Sequence, residues 1–302
     1  MAKYIMTAKE AILTSGSSRG SQIKFFKDDY WYKIDETGPE GKAEELASKI
    51  LSCSNLKQNE YITYESCTID YNGKTYDGCR SKNCLSSGEQ LLSFERLYNI
   101  KTGRSLSEDI IPFTSPKERI EFVIHEISEF CDTDIRDLIS KNLTASMILM
   151  DTDRHLHNMA LIANADLTEF RNAPIFDNGA AFLSNHTIYP PSITVDDIKN
   201  GSVTVAGKPF SADLHYQAHV AGFGIKFDFD RIHKMLSNQP DSRIKRIAEY
   251  SISKYQNIPD LHIPASHHTL SPDDKITMAI EELPSGNCQS DNENSFNNTL
   301  CI

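Results

Sequence analysis

Asp151-Thr152-Asp153-Arg154-His155-Leu156-His157-Asn158, with Pro174-Ile175-Phe176-Asp177-Asn178-Gly179 behind it, is the stretch on which the reading of this chain turns. Asp153 stands five residues before Asn158, and Asp177 lies 19 residues beyond Asn158. Either aspartate alone suits an ordinary turn or helix cap. Together they are less ordinary, because a hairpin between Asn158 and Asp177 would bring two side chains with oxygen donors to one place. Gly179 is expected to let the backbone turn sharply behind Asp177. Upstream, Ile135, Leu138, Ile139, Leu143 and Met147 share one helix face, so a helix ending near Met150 delivers the loop. Before that, Ser115-Pro116-Lys117-Glu118 joins an N-cap serine, a proline at the first helical position and a capping-box glutamate, ahead of Ile120, Val123, Ile124, Ile127 and Phe130.

The N-terminal part reads differently. Ala11-Ile12-Leu13, Gln22 to Phe26 and Tyr30 to Ile34 read as strands, with Asp28-Asp29 as the turn of a hairpin. After Thr37-Gly38-Pro39, the apolar residues Ala43, Leu46, Ala47, Ile50 and Leu51 predict a helix. Tyr61 to Tyr64 and Cys67 to Tyr71 are expected as further strands, with Asn72-Gly73 turning the last into Lys74-Thr75-Tyr76. A small, mainly antiparallel sheet with one helix thus precedes a mainly helical region. Ile244, Ile247, Ala248, Ser251, Ile252 and Tyr255 mark another helix, and Ser271-Pro272 starts a last one that Pro284 closes.

Composition narrows the function classes. A net charge of −11 over 302 residues argues against a broad basic face for nucleic acid, so an anionic ligand would need a local basic pocket. The seven cysteines, at 53, 67, 79, 84, 131, 288 and 301, contain no CxxC pair, which points away from a disulfide framework or zinc knuckle and toward the cytoplasm. No signal peptide or membrane span is read, although a secreted effector using another export route would look the same. His215 and His219 share helical spacing, but no glutamate follows the first as a zinc protease requires.

The wording Asp-Arg-His-x-x-Asn, with Ala173-Pro174-Ile175-Phe176-Asp177-x-Gly179 behind it, resembles the HipA-like kinases and especially the CtkA group of bacterial serine/threonine kinases. The resemblance covers residues 10 to 260. It implies an α+β, two-lobed protein-kinase-like fold, with an N-lobe at 1–82 and a C-lobe at 83–283; residues 284–302, rich in Ser, Asn and acid, read by composition as a polar, disordered tail. It also implies ATP and Mg²⁺ as ligands and a protein acceptor, with phosphoryl transfer to serine or threonine hydroxyls. Asp153 would orient the acceptor hydroxyl and take its proton, while Asn158 and Asp177 would hold the metal. Lys33, in the strand after the hairpin, would contact the nucleotide phosphates. Glu44 would be its ion-pair partner, since it borders the apolar stripe and fits a Glu-x-x-Ala pattern with Ala47, whereas Glu45 points away.

Ser15, Gly16, Ser17, Ser18, Gly20 and Ser21 would lie over the phosphates, in a loop that departs from Gly-x-Gly-x-x-Gly and whose autophosphorylation would switch the enzyme off. Gly78, Cys79 and Arg80 would form the adenine hinge. Arg154 and His155 would brace the catalytic loop, His155 also touching the nucleotide, with His157 exposed and idle. The segment from Lys208 to Asp213 would help form the acceptor groove. Phosphoinositide kinases share a similar loop, so a lipid or small-molecule kinase is a rival reading. A degenerate nucleotide-binding module that acts by docking is another.

Overall fold

The structure, a computed structural model, describes residues 1–12 and 22–264. The loop at 15–21, the helix expected from Ser271 and the tail at 284–302 lie outside the described residues. Near the N-terminus the chain forms β1 (Ala2–Ile5), β2 (Ala11–Ile12), β3 (Lys24–Lys27), β4 (Tyr30–Ile34), helix α1 (Glu40–Leu51), β5 (Tyr64–Tyr71) and β6 (Lys74–Lys82). These strands make one six-stranded sheet in the order β1-β5-β6-β4-β3-β2. All its pairings are antiparallel except β1 with β5, which is parallel. Its two hairpins turn where the sequence places them: Asp28 and Asp29 take φ of 52° and 62°, and Asn72 and Gly73 take 50° and 74°. Left-handed backbone at both turn positions matches the twist of the flanking strands, and Asp, Asn and Gly are the residues that tolerate it.

Period-2 alternation separates two chemistries on this sheet. Phe25, Tyr32, Ile34, Cys67 and Ile69 form an apolar cluster on one face. Lys24, Lys33 and Cys79 lie on the other, since Lys24 pairs with Lys33 and Lys33 with Cys79 across neighbouring strands. Helix α1 packs on β5 and β6 at close range. A Cβ on Gly41 would stand 2.4 Å from the carbonyl oxygen of Gly78, so only glycine fits there. This approach sets Glu44, one turn later, at the level of Lys33. The apolar stripe of α1 joins the large core through Ala43, Leu46, Ala47, Ile50 and Leu51.

Asp35 ties the sheet to α1 by accepting a 2.7 Å hydrogen bond from the Gly41 N–H, one of the open amides of the first helical turn. Burial pushes its carboxyl up to about 7, with Glu40 and Asp77 adding to the effect against the Gly41 bond. An unfolded aspartate loses its proton near ~4. The stabilising contribution of the protonated group is therefore complete below about pH 4 and fades as the pH rises through about 7. Asp35→Asn is expected to melt with the wild type near pH ~4 and above it beyond pH ~7. A pH-independent difference in melting temperature would contradict this.

Beyond the first sheet come β7 (Glu89–Ser93), α2 (Phe94–Thr102), α3 (Leu106–Asp109), α4 (Pro116–Cys131), α5 (Arg136–Leu149), β8 (Ala160–Asn164), β9 (Phe170–Asn172), α6 (Val195–Lys199), α7 (Leu214–Ala221), α8 (Phe229–Ser237) and α9 (Arg243–Tyr255). Strands β7, β8 and β9 form a small antiparallel sheet. Helix α4 starts with the expected capping box of Ser115 and Glu118. Helix α5 packs against α7 and α9 in the middle of the core and ends at Met150, which takes φ of 47°. The whole is an α+β fold with an antiparallel-rich sheet region followed by a helical one. No helix among the described residues is long and apolar enough to cross a membrane.

Two expectations about strands need correction. Tyr64–Tyr71 is one continuous strand. Tyr61 leaves the sheet and bridges in parallel to Ile175, where Ile62 N donates to the Ile175 carbonyl at 2.9 Å and Ile175 N to the Glu60 carbonyl at 2.8 Å. That bridge anchors the chain two residues ahead of Asp177.

Candidate active site

The loop after α5 is built around a buried arginine. Asp151 and Arg154 are both fully buried and paired at 2.8 Å. Arg154 also donates to the carbonyls of Asn158 at 3.2 Å and Phe176 at 2.6 Å, and to Asn178 Oδ1 at 2.5 Å. One guanidinium thus fastens the 151–158 loop to the 176–178 segment, the bracing role expected of it. Asn158 Nδ2 donates to the Asp153 carbonyl at 2.9 Å, which leaves Oδ1 as the amide's free ligating atom type. Burial pushes the Asp151 carboxyl up, and the Arg154 charge opposes it.

Lys33, Glu44 and Asp177 converge from the sheet, from α1 and from the loop after β9. Lys33 Nζ lies 3.1 Å from Glu44 Oε1 and 2.9 Å from Asp177 Oδ1. Side-chain exposure is 5% for Lys33, 1% for Glu44 and 26% for Asp177, so only the last opens to solvent. Burial alone would favour a neutral Lys33, but Asp177, Tyr64 and Glu44 outweigh it and hold the ammonium well above the ordinary lysine pKa. Burial likewise resists ionisation of Asp177, and Lys33 with Lys24 overcomes it, so this carboxylate is a stronger acid than usual. Glu44, the most enclosed, is pushed up by burial. Its second oxygen accepts from Asn178 N at 2.8 Å. As expected, Glu45 faces away, pairing with Lys49 at 2.7 Å.

Tyr64 supports this group without being foreseen. Its ring lies 5.1 Å from Lys33 Nζ and its hydroxyl accepts from Asp177 N at 3.3 Å. The sharp turn behind the second aspartate is also not where it was expected. Asp177 itself takes φ of 56°, while Gly179 is outside the left-handed region; the ion pair and the Tyr64 contact hold a conformation that costs a non-glycine residue about 1 kcal/mol or more.

A cavity of about 410 Å³ opens between these elements, lined among others by Lys24, Lys33, Glu44, Asp153, Asn158 and Asp177. Its wall is not a basic pocket. Five carboxylates, of Glu36, Glu40, Glu44, Asp153 and Asp177, face two lysines among the described lining residues. Asp153 sits at the mouth, 46% exposed, with Oδ1 2.9 Å from Lys208 Nζ and Oδ2 3.7 Å from His155 Nε2. Lys208 therefore meets the aspartate expected to handle the acceptor, across 55 residues of sequence. Its turn is held by Gln217, which donates to the Lys208 carbonyl at 2.8 Å and accepts from Phe210 N at 3.3 Å.

Other expected residues separate. Gly78, Cys79 and Arg80 lie inside β6, paired on both sides, rather than in a connection after the last strand. Only Cys79 of the three lines the cavity. Arg80 points to the opposite face, bonded to Glu65 at 2.8 and 2.6 Å and stacked on Tyr4 and Tyr30. The connection out of the sheet is 83–88. His155 lines the cavity. His157, expected to be exposed and idle, is half-buried and meets His155 edge-on at 5.4 Å. His215 and His219 stack on each other at 6.1 Å beside Phe223 and Tyr255. Ser15, Gly16, Ser17, Ser18, Gly20 and Ser21 lie outside the described residues.

A sheet region with one buried-glutamate helix, joined to a helical region across a cleft, defines a kinase-like fold. Among solved structures it is similar to the crystal structure of the Helicobacter pylori proinflammatory kinase CtkA, with a TM-score of 0.54 and 16% sequence identity over 80% of this chain and 92% of that one. No protein-family model matches the sequence, and no curated protein matches it.

Proposed function

We propose that the protein is an ATP- and Mg²⁺-dependent protein kinase of the HipA-like type that phosphorylates serine or threonine hydroxyls. The observation that carries this reading is the meeting of Lys33, Glu44, Asp153, Asn158 and Asp177, spread over 145 positions, around one cavity. A protein without phosphoryl-transfer chemistry has no physical need of all five there.

The donor set fits a metal of nucleotide type. Asn158 and Asp177 supply two oxygen ligands, and Mg²⁺ held by one or two protein side chains takes its remaining ligands from phosphates and water. When bound, the ion offsets charge on the transferring group and helps hold donor and acceptor in line. Lys33 is kept charged and pointed at the phosphates by Glu44. Asp153, at the mouth, orients the acceptor hydroxyl and accepts its proton as the new oxygen–phosphorus bond forms and the bond from the γ-phosphorus to the oxygen of departing ADP breaks. Lys208, 2.9 Å from that carboxylate, fixes its orientation toward the acceptor. Lys208→Ala is expected to lower turnover by about tenfold. That is less than the ~10²-fold or more lost with an enclosed donor, because both partners are half exposed. Unchanged steady-state kinetics would remove the role.

The reading is tested by incubating the full chain with radiolabelled ATP and Mg²⁺ and a panel of serine, threonine and phosphoinositide acceptors, beside Asp177→Asn. Label on peptide hydroxyls from the wild type alone is expected. Label confined to phosphoinositides would replace the acceptor class. Equal labelling by both proteins, or none by the wild type, would overturn the kinase reading.

A further inference from the structure

We propose that Lys24 is a second phosphate-binding cation of the cavity, working beside Lys33 so that two ammoniums on neighbouring strands grip one polyphosphate tail. The assignment rests on the nucleotide reading above and extends it to a residue outside the Lys33, Glu44 and Asp177 set. Lys24 on β3 and Lys33 on β4 are direct cross-strand partners, so their Cβ atoms stand about 5 Å apart on the same face. Both residues are 4% exposed and both line the 410 Å³ cavity.

Like charges directly opposite each other weaken a strand pair, and enclosing them adds a desolvation cost. The partner position on the other face shows the ordinary solution, Phe25 against Tyr32, two aromatic residues in an apolar cluster. A matched pair of buried lysines lining a cavity is instead suited to an anion that needs more than one cation. Lys33 already serves two carboxylates, at 3.1 and 2.9 Å, which leaves that triad with a net negative charge. With five carboxylates lining the cavity, a nucleotide tail needs more than one cation, and an ammonium binds phosphate oxygens through charge-assisted hydrogen bonds. Lys24 and Asp177 line the same cavity and act on each other electrostatically, which assigns Lys24 to the phosphates rather than to the nucleoside.

The test is equilibrium binding of ATP, ADP and adenosine to the full chain, with and without Mg²⁺, for the wild type, Lys24→Met, Lys24→Gln and Lys24→Arg. Loss of one charge-assisted contact is expected to weaken ATP and ADP by about tenfold or more in the Met and Gln variants. Adenosine should bind all four proteins alike, which also shows that the cavity is folded, and Arg should retain most ATP affinity. ATP binding equal to the wild type in the Met and Gln variants would overturn the assignment, as would equal weakening of ATP and adenosine. Failure of the wild type itself to bind ATP would overturn the nucleotide reading first, and this assignment with it.

Discussion

Asp153→Ala is expected to lower the rate of phosphoryl transfer by about 10²- to 10⁴-fold, the range for loss of a positioned general base, while nucleotide affinity changes by about twofold or less. The separation follows from how the residue is held. Its carboxylate stands at the cavity mouth, touching Lys208 and His155, and takes no part in the Lys33, Glu44 and Asp177 ion pairs. Its backbone carbonyl is what receives the Asn158 amide at 2.9 Å, and alanine keeps that carbonyl. Asn158 and Arg154 should therefore stay in place, so the loss falls on turnover. Single-turnover rates alongside nucleotide titrations would check this. A variant that turns over like the wild type would show that the acceptor is activated elsewhere.

The second large effect is on stability. Arg154→Leu is expected to cost about 3–5 kcal/mol, because it leaves the fully buried Asp151 carboxylate without its partner. At about 2–4 °C per kcal/mol for a domain of this size, the melting temperature should fall by roughly 10 °C. The same change releases the Asn158 and Phe176 carbonyls and the Asn178 side chain, so activity should fall even at temperatures where the variant is folded. Adding Asp151→Leu should recover part of the stability and none of the activity, since it removes the unpaired charge but restores none of the carbonyl contacts. Full recovery of both would mean that the guanidinium serves only Asp151. A melting temperature equal to the wild type would mean that water reaches the pair.

Much of this could be read along the chain because it depends on neighbours in sequence. The capping box at Ser115, the stripe of α1 and the two hairpin turns are set by residues a few positions apart. The 151–158 loop is equally local: its internal hydrogen bonds link residues no more than five apart. Glu44 was separable from Glu45 by helical geometry alone. Strand β1 was missed because its partner among the described residues is β5, 65 residues away, and an exposed edge strand carries no burial alternation. Gly78 to Arg80 looked like a connection because glycine often ends strands; here it makes room for α1. Lys24 was within reach, since a two-residue turn at Asp28-Asp29 forces it opposite Lys33. Tyr64 and Lys208 were not, because nothing local says which distant side chain they will meet.

By itself the sequence determined which short-range elements form and which residue types are present for chemistry, because dihedral preference, periodicity and capping act over a turn or two of chain. Only the tertiary structure decided that Lys33 serves two carboxylates at once, that Lys208 meets Asp153, and that carboxylates outnumber lysines on the described cavity wall. Those outcomes depend on packing α1 against β6 and on the buried Arg154 joining two distant segments. Contacts between side chains 55 to 144 positions apart are fixed by the balance of burial and charge over the whole fold, which no local pattern encodes.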